Sequence, residues 1–162
     1  MDKTMTSNTD AFQRPEHPAF RLFVTTALEA FAFLKDLGFG VASCADAANE
    51  CAIRLTNETT GVEIRYDMPN IPTVSLARLN NAGQFTRDQY GLKFLICERC
   101  PEMDIEGDLS HSSPDTGFRD LLQAYAAIVR DYASDILEGN FSVFKELDRH
   151  VRMEMRRLQR KK

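Results

Sequence analysis

Two runs of alternating side chains, separated by a four-residue loop, constrain the fold of this chain more than any other feature. The runs are CAIRLTN (51–57) and VEIRYDM (62–68), and the loop between them is ETTG. Alternate positions in the two runs carry six apolar residues: Cys51, Ile53, Leu55, Val62, Ile64 and Tyr66. A period of two around a short loop that contains glycine predicts an antiparallel hairpin with one buried face.

Further strands are predicted on both sides of this hairpin. The turn PNIP (69–72) precedes TVSLARL (73–79), which has strand character. The apolar run GLKFLICE (91–98) predicts a more buried strand, and GVASC (40–44) is a candidate strand before the hairpin. The middle of the chain therefore predicts an antiparallel meander of four to five strands.

Helical periods flank the meander. Apolar residues between Phe20 and Leu37 recur on one helical face, and Gly38 follows them. A broad apolar face covers 118–137, and Gly139 ends it. A last helix is expected to dock along one stripe: Phe144, Leu147, Val151, Met155 and Leu158.

The order of these elements predicts an α+β fold. It consists of an N-terminal helix, an antiparallel meander of four to five strands, and two C-terminal helices packed on one face of the sheet. Residues 1–14 are polar and are expected to be a flexible tail, and 15–162 are expected to be a single domain.

Charge is distributed unevenly along the chain. The formal net charge is −4. From Arg149 onward there are seven Lys/Arg and one acid, a sum of +6, so residues 1–148 carry −10. An acidic body repels nucleic acid and anionic membranes and attracts basic proteins. No apolar targeting segment is visible near the start, so we expect a cytoplasmic protein with reduced cysteines.

The cysteines of CERC (97–100) lie at the end of the predicted strand 91–98. A redox pair needs a low-pKa thiolate at a helix N-terminus, and a zinc site needs four converging ligands. The sequence offers neither clearly, so we expect Cys97 and Cys100 to be structural, with no metal and no cofactor. The alternative is a small enzyme that uses loop residues such as Cys100 and His111.

Two charged stretches are candidate binding surfaces. The segment 98–108 has one cation, Arg99, and five acids: Glu98, Glu102, Asp104, Glu106 and Asp108. It is either a solvated loop or the surface that meets a cationic partner. The last helix carries an arginine stripe, Arg149, Arg152, Arg156 and Arg160. No aromatic residue accompanies this stripe, so we expect a solvated face rather than a nucleic-acid contact.

The stretches VEIRYDMPNIPTVSLARL (62–79) and LLQAYAAIVRDYASDILEGNFSVFKELDRH (121–150) resemble small bacterial proteins of the toxin-immunity and uncharacterised small-domain kind. The resemblance implies a cytoplasmic inhibitor that neutralises one toxin by direct binding, and it transfers no site residue. The resulting expectation is a non-enzymatic, immunity-like inhibitor that binds and occludes a basic toxin or another protein partner. The alternative is a secretion-chaperone-like protein that forms a homodimer.

Overall fold

The computed structural model describes residues 14–103 and 112–162. Helix α1 spans Pro18–Ala30 and is followed by a 3-10 helix, Ala32–Leu37. The five strands are β1 (Gly40–Ala47), β2 (Glu50–Thr56), β3 (Thr60–Asp67), β4 (Thr73–Leu79) and β5 (Phe85–Gly91). The remaining helices are α2 (Leu92–Arg99), a 3-10 turn (Pro114–Thr116), α3 (Arg119–Tyr132), α4 (Ser134–Leu137) and α5 (Phe144–Gln159).

The sheet is a five-stranded antiparallel meander with the order β1-β2-β3-β4-β5, which confirms the predicted fold class. Ile64 of β3 lies opposite Ile53 of β2 and Val74 of β4, so these three side chains share one face. All three are buried. The period of two in the sequence therefore arises because only this face packs against helices.

Tyr66 is the centre of the helix-sheet interface. Its ring lies 5.8 Å from that of Phe20 and 5.4 Å from that of Phe23, both in α1. The ring of Phe118, at the start of α3, lies 4.8 Å away. The tilted and edge-on contacts are the arrangements that aromatic rings prefer, and they fix α1 and α3 on the same face of β3.

The predicted strand 91–98 is wrong, because this segment forms helix α2. Its buried residues are Leu92, Leu95 and Ile96, which have helical spacing. Ile96 is the only β-branched residue in the helix, so local propensity also favours a helix. The fifth strand lies just upstream, in 85–91, where polar side chains hide the strand pattern.

Two predicted helices are each divided. The segment 20–37 is α-helical only to Ala30 and then tightens into the 3-10 helix, which buries Leu34. The segment 118–137 is interrupted at Ala133, so α3 and α4 are separate helices. Gly38 and Gly139 both have left-handed backbones, with φ values of 80° and 92°, and end these segments as expected.

The last helix docks along only half of its predicted stripe. Phe144 and Leu147 are buried, and Val151 is half-buried. Met155 and Leu158 are 57% and 58% exposed, so the prediction that they dock is wrong. In the part of the chain that the structure describes, α5 therefore extends past the domain body.

The predicted tail falls almost wholly outside the described residues. Across 14–103 and 112–162, no helix combines the length and the apolar character that crossing a bilayer requires.

Candidate functional site

The acidic segment 98–108 is only partly described. Asp104, Glu106 and Asp108 lie outside the described residues, as does His111. Glu98 is paired rather than free, because its Oε2 lies 2.6 Å from Nε2 of His150 in α5. Glu102 is exposed, and the Cys100 thiol donates a hydrogen bond of 3.6 Å to its Oε1.

Arg99, the one cation of that segment, is turned toward α4. Its guanidinium makes two hydrogen bonds of 2.7 Å to the carboxylate of Asp135 and also donates to the backbone carbonyl of Tyr132. The Arg99 charge is therefore balanced by Asp135 rather than by the neighbouring glutamates. The proposal that this segment meets a cationic partner stays a prediction.

The CERC cysteines lie at the C-terminal end of α2, not at the end of a strand. Cys97 is exposed, and Cys100 is buried. A hydrogen bond with the Cys100 thiol raises the pKa of the Tyr132 hydroxyl. Within the described residues, no group of three or more His, Cys, Asp or Glu side chains is arranged to hold a metal ion.

The face of the sheet opposite the helices carries a ladder of charged and small side chains, which we call the open sheet face. Its residues are Glu50, Ala52, Arg54, Glu63, Arg65, Ser75, Ala77 and Gln89. Their hydrogen bonds and ion pairs join neighbours on the sheet itself. Arg54, Arg65 and Glu50 keep side-chain exposures of 42%, 40% and 43%, so this face is accessible.

Glu63 is the hub of the open sheet face. Its carboxylate is buried and accepts hydrogen bonds from Arg54 Nε at 2.7 Å and Gln89 Nε2 at 3.2 Å. Arg65 Nη2 lies 3.2 Å from Oε1, the oxygen that Gln89 also contacts, and Arg65 also pairs with Glu50 at 2.7 Å. A buried acid is tolerated here because every side of the carboxylate has a donor.

Phe85 of β5 extends the ladder across the sheet. Its ring lies over Gly61, where a Cβ would be only 2.4 Å from the ring carbon Cζ. The Arg54 guanidinium stacks on the same ring, 4.7 Å from its centroid. Glycine at 61 therefore makes room for a ring that holds Arg54 in position for Glu63.

Among the described residues, strand β1 is a free sheet edge that the sequence did not reveal as a site. It has eight residues, GVASCADA, and six of them are exposed. No described strand pairs with its outer side, so half of its backbone N–H and C=O groups point away from β2. It contains no proline, lysine or arginine, which are the residues that usually protect such an edge.

The side chains of β1 on the open sheet face are small. Ser43, Ala45 and Ala47 lie beside Arg54, Ala52 and Glu50 of β2. The register is continuous over these residues, because the one irregularity lies between Val41 and Ser43. A groove with a small-residue floor therefore runs from the free edge to the charged side chains of β2.

An acidic corner lies where β1 turns into β2. Its acids are Glu50 and Asp67, which are directly opposite each other on the open sheet face, and Asp46, which lies opposite Cys51 on the core face of the edge. Arg65 pairs with Glu50 at 2.7 Å, so these four side chains sum to −2. Neither Asp46 nor Asp67 forms an ion pair with any residue in 14–103 or 112–162, and both are exposed.

The thiols of Cys44 and Cys51 meet under the β1 edge. They lie on the core face of adjacent strands, with Cys44 half-buried and Cys51 fully buried. The Cys51 thiol hydrogen-bonds Cys44, which lowers the pKa of Cys44 and raises that of Cys51. These two cysteines, rather than Cys97 and Cys100, are the thiol pair of the described chain.

No protein-family model, no curated protein and no solved structure matches the chain.

Proposed function

We propose that this protein acts by binding a basic protein without catalysing a reaction, as an immunity-like inhibitor would. The observation that carries the proposal is the free edge of β1 beside the acidic corner. An exposed edge strand offers backbone hydrogen bonds to an extended segment of another chain. The acids next to it favour a segment that contains lysine or arginine.

The groove explains how such a segment reaches the acids. An added strand would lie about 4.8 Å from β1, and about twice that distance from β2. Only small side chains, Ser43, Ala45 and Ala47, lie between them on the open sheet face. A lysine or arginine of the added strand can therefore extend across β1 to Glu50, while its backbone pairs with the edge.

The other side of the added strand would meet the core face of β1, where Val41 and Cys44 are apolar and Asp46 is an acid at the corner end. Val41 is 41% exposed, and Cys44 is half-buried on the core face of β1. Because side chains alternate along a strand, the favoured partner segment carries cations toward the open sheet face, and toward the core face it carries apolar residues near Val41 and Cys44 and a cation near Asp46.

A second copy of this chain is a poorer occupant of the same edge. Antiparallel pairing of two β1 strands would place the two acidic corners at opposite ends of the interface, where β1 of the other copy has no lysine or arginine to meet them. A strand pairing of this length also buries less surface than a stable dimer interface requires. The unmatched acids and the small buried area therefore favour the inhibitor over the secretion-chaperone-like homodimer.

The test is the affinity for the protein encoded beside this gene, measured by calorimetry at low and high salt. In the first variant, Asp46→Lys and Asp67→Lys reverse the charge of two acids of the acidic corner. In the second, Asp104→Lys and Glu106→Lys reverse the acidic segment, and Asp88→Lys on β5 is the control. We expect about tenfold weaker binding at low salt for the corner variant alone.

The remaining outcomes have definite meanings. A loss confined to the second variant would move the contact to segment 98–108 and retain the inhibitor. Equal affinities for all the variants would exclude both acidic surfaces. A basic neighbour that does not bind the wild type at all, or dimerisation of the protein alone through β1, would contradict the proposal.

A further inference from the structure

We infer that the free end of α5 is a docking site for an acidic amphipathic helix of a partner protein. This site, residues 151–162, is separate from β1. Helix α5 packs beside β5, where the ring of Phe144 lies 4.9 Å from that of Tyr90. Because β1 and β5 are the two outer strands, the two surfaces lie at opposite edges of the sheet.

The apolar stripe of α5 continues past its last contact with the domain. Lys93 of α2 pairs with Glu154 at 2.8 Å, and this is the last ion pair along the helix among the described residues. Beyond it, Met155 and Leu158 follow Val151 at helical spacing, on the same side as the buried Leu147. Their exposures of 57% and 58% therefore mark an unfilled continuation of the core-facing stripe.

Cations without an ion-pair partner among the described residues lie beside this stretch on the helix. The residues after Glu154 include Arg156, Arg157, Arg160, Lys161 and Lys162, with no acidic side chain among them. None of these five forms an ion pair with a described residue, whereas Arg149 pairs with Glu146 and Arg152 with Asp148. An occupant must therefore supply acids beside an apolar strip.

The direction of the stripe selects among occupants. Met155 and Leu158 face the same side of the helix as the docked residue Leu147. A partner helix can lie along this stripe, with its apolar residues on Met155 and Leu158 and its acids near the arginines and lysines. Nucleic acid would use the cations but leave the apolar residues in water. A second α5 would add like charges.

The chain provides a matched pair of variants. Met153 is 58% exposed, like Met155, but it lies on the opposite side of the helix from Val151. Met155→Gln and Met153→Gln therefore make the same chemical change at the same exposure on different faces. Neither side chain is buried, so both variants are expected to fold.

The probe is a fluorescein-labelled peptide with leucine and glutamate in a heptad pattern, measured by anisotropy on the full chain. We expect salt-sensitive binding to wild type, about tenfold weaker binding to Met155→Gln, and unchanged binding to Met153→Gln. Equal effects of the two variants would overturn the inference, because binding would then depend on charge alone. Absence of peptide binding, or tighter binding to phosphatidylserine vesicles or duplex DNA, would overturn it as well.

Discussion

Arg99 and Asp135 form a two-point ion pair, with Nη1–Oδ1 and Nη2–Oδ2 distances of 2.7 Å. The pair joins the last turn of α2 to α4, and both side chains are less than one-third exposed. The hydrogen bonds from Arg99 lower the pKa of Asp135. Because the folded pKa is depressed, the stabilisation is complete above the unfolded pKa and is lost as pH falls through the folded pKa.

Asp135→Asn should therefore lower the free energy of unfolding by about 1.5–3 kcal/mol at pH 7. The difference from wild type should shrink below about pH 4, where the unfolded carboxyl is protonated. Urea denaturation at pH 7 and pH 3 measures both values, and Asp131→Asn, an exposed position on α3, is the control. A loss of the same size at both pH values would contradict an ionic role.

A second prediction concerns Glu63, at the centre of the open sheet face. Glu63→Ala removes a buried carboxylate and leaves Arg54 without its acceptor, while Gln89 keeps its hydrogen bond to Ser75, so it should cost about 2–3 kcal/mol. Glu50→Ala, which breaks an exposed pair with Arg65, should cost less than about 1 kcal/mol. Chemical denaturation of the two variants compares them directly. Equal costs would show that Glu63 does not organise this face.

Truncation divides α5 into a docked and a free part. A chain that ends at Glu154 keeps Phe144, Leu147 and the ion pair with Lys93, so its thermal midpoint should stay close to that of the full chain. A chain that ends at Asp148 loses the pair between His150 and Glu98 and should unfold at a clearly lower temperature. Equal midpoints for the two truncations would contradict this division.

The two CERC cysteines should differ in their contribution to stability, because one is exposed and the other is buried. Cys97→Ser changes an exposed side chain and should change stability by less than about 0.5 kcal/mol. Cys100→Ser introduces a hydroxyl at a buried position and should cost about 1–2 kcal/mol. Elemental analysis of the purified protein should find no stoichiometric zinc, and one zinc per chain would overturn the structural interpretation of these cysteines.

The sequence predicts correctly the strands that bury one face in the core and turn the other face away from it. Apolar and polar residues alternate along strands β2 and β3, and this pattern predicts the burial of Ile53, Ile64 and Tyr66. Helix α2 was missed because its apolar residues, Leu92, Leu95 and Ile96, sit in a continuous apolar run. A run of that length is compatible with a buried strand or a short helix.

The candidate site was harder to predict, since it depends on pairing between strands. GVASCADA has no charge pattern that sets it apart, and only the sheet order shows that its outer side is free. Glu50 and Asp67 are far apart in the sequence and meet through the register of β2 and β3. The acidic segment was visible as a charge run, but the pairing of Glu98 with His150 depends on how α5 docks.

Hydrogen exchange in the complex tests the central claim most directly, namely that β1 receives a strand from a basic partner. The complex is formed with the basic protein encoded beside this gene, and exchange is followed by mass spectrometry with and without it. We expect the partner to slow hydrogen exchange of the backbone amides in residues 40–47, with no change in residues 85–91 at the other sheet edge. Protection confined to other segments, with residues 40–47 exchanging as in the free protein, would contradict it.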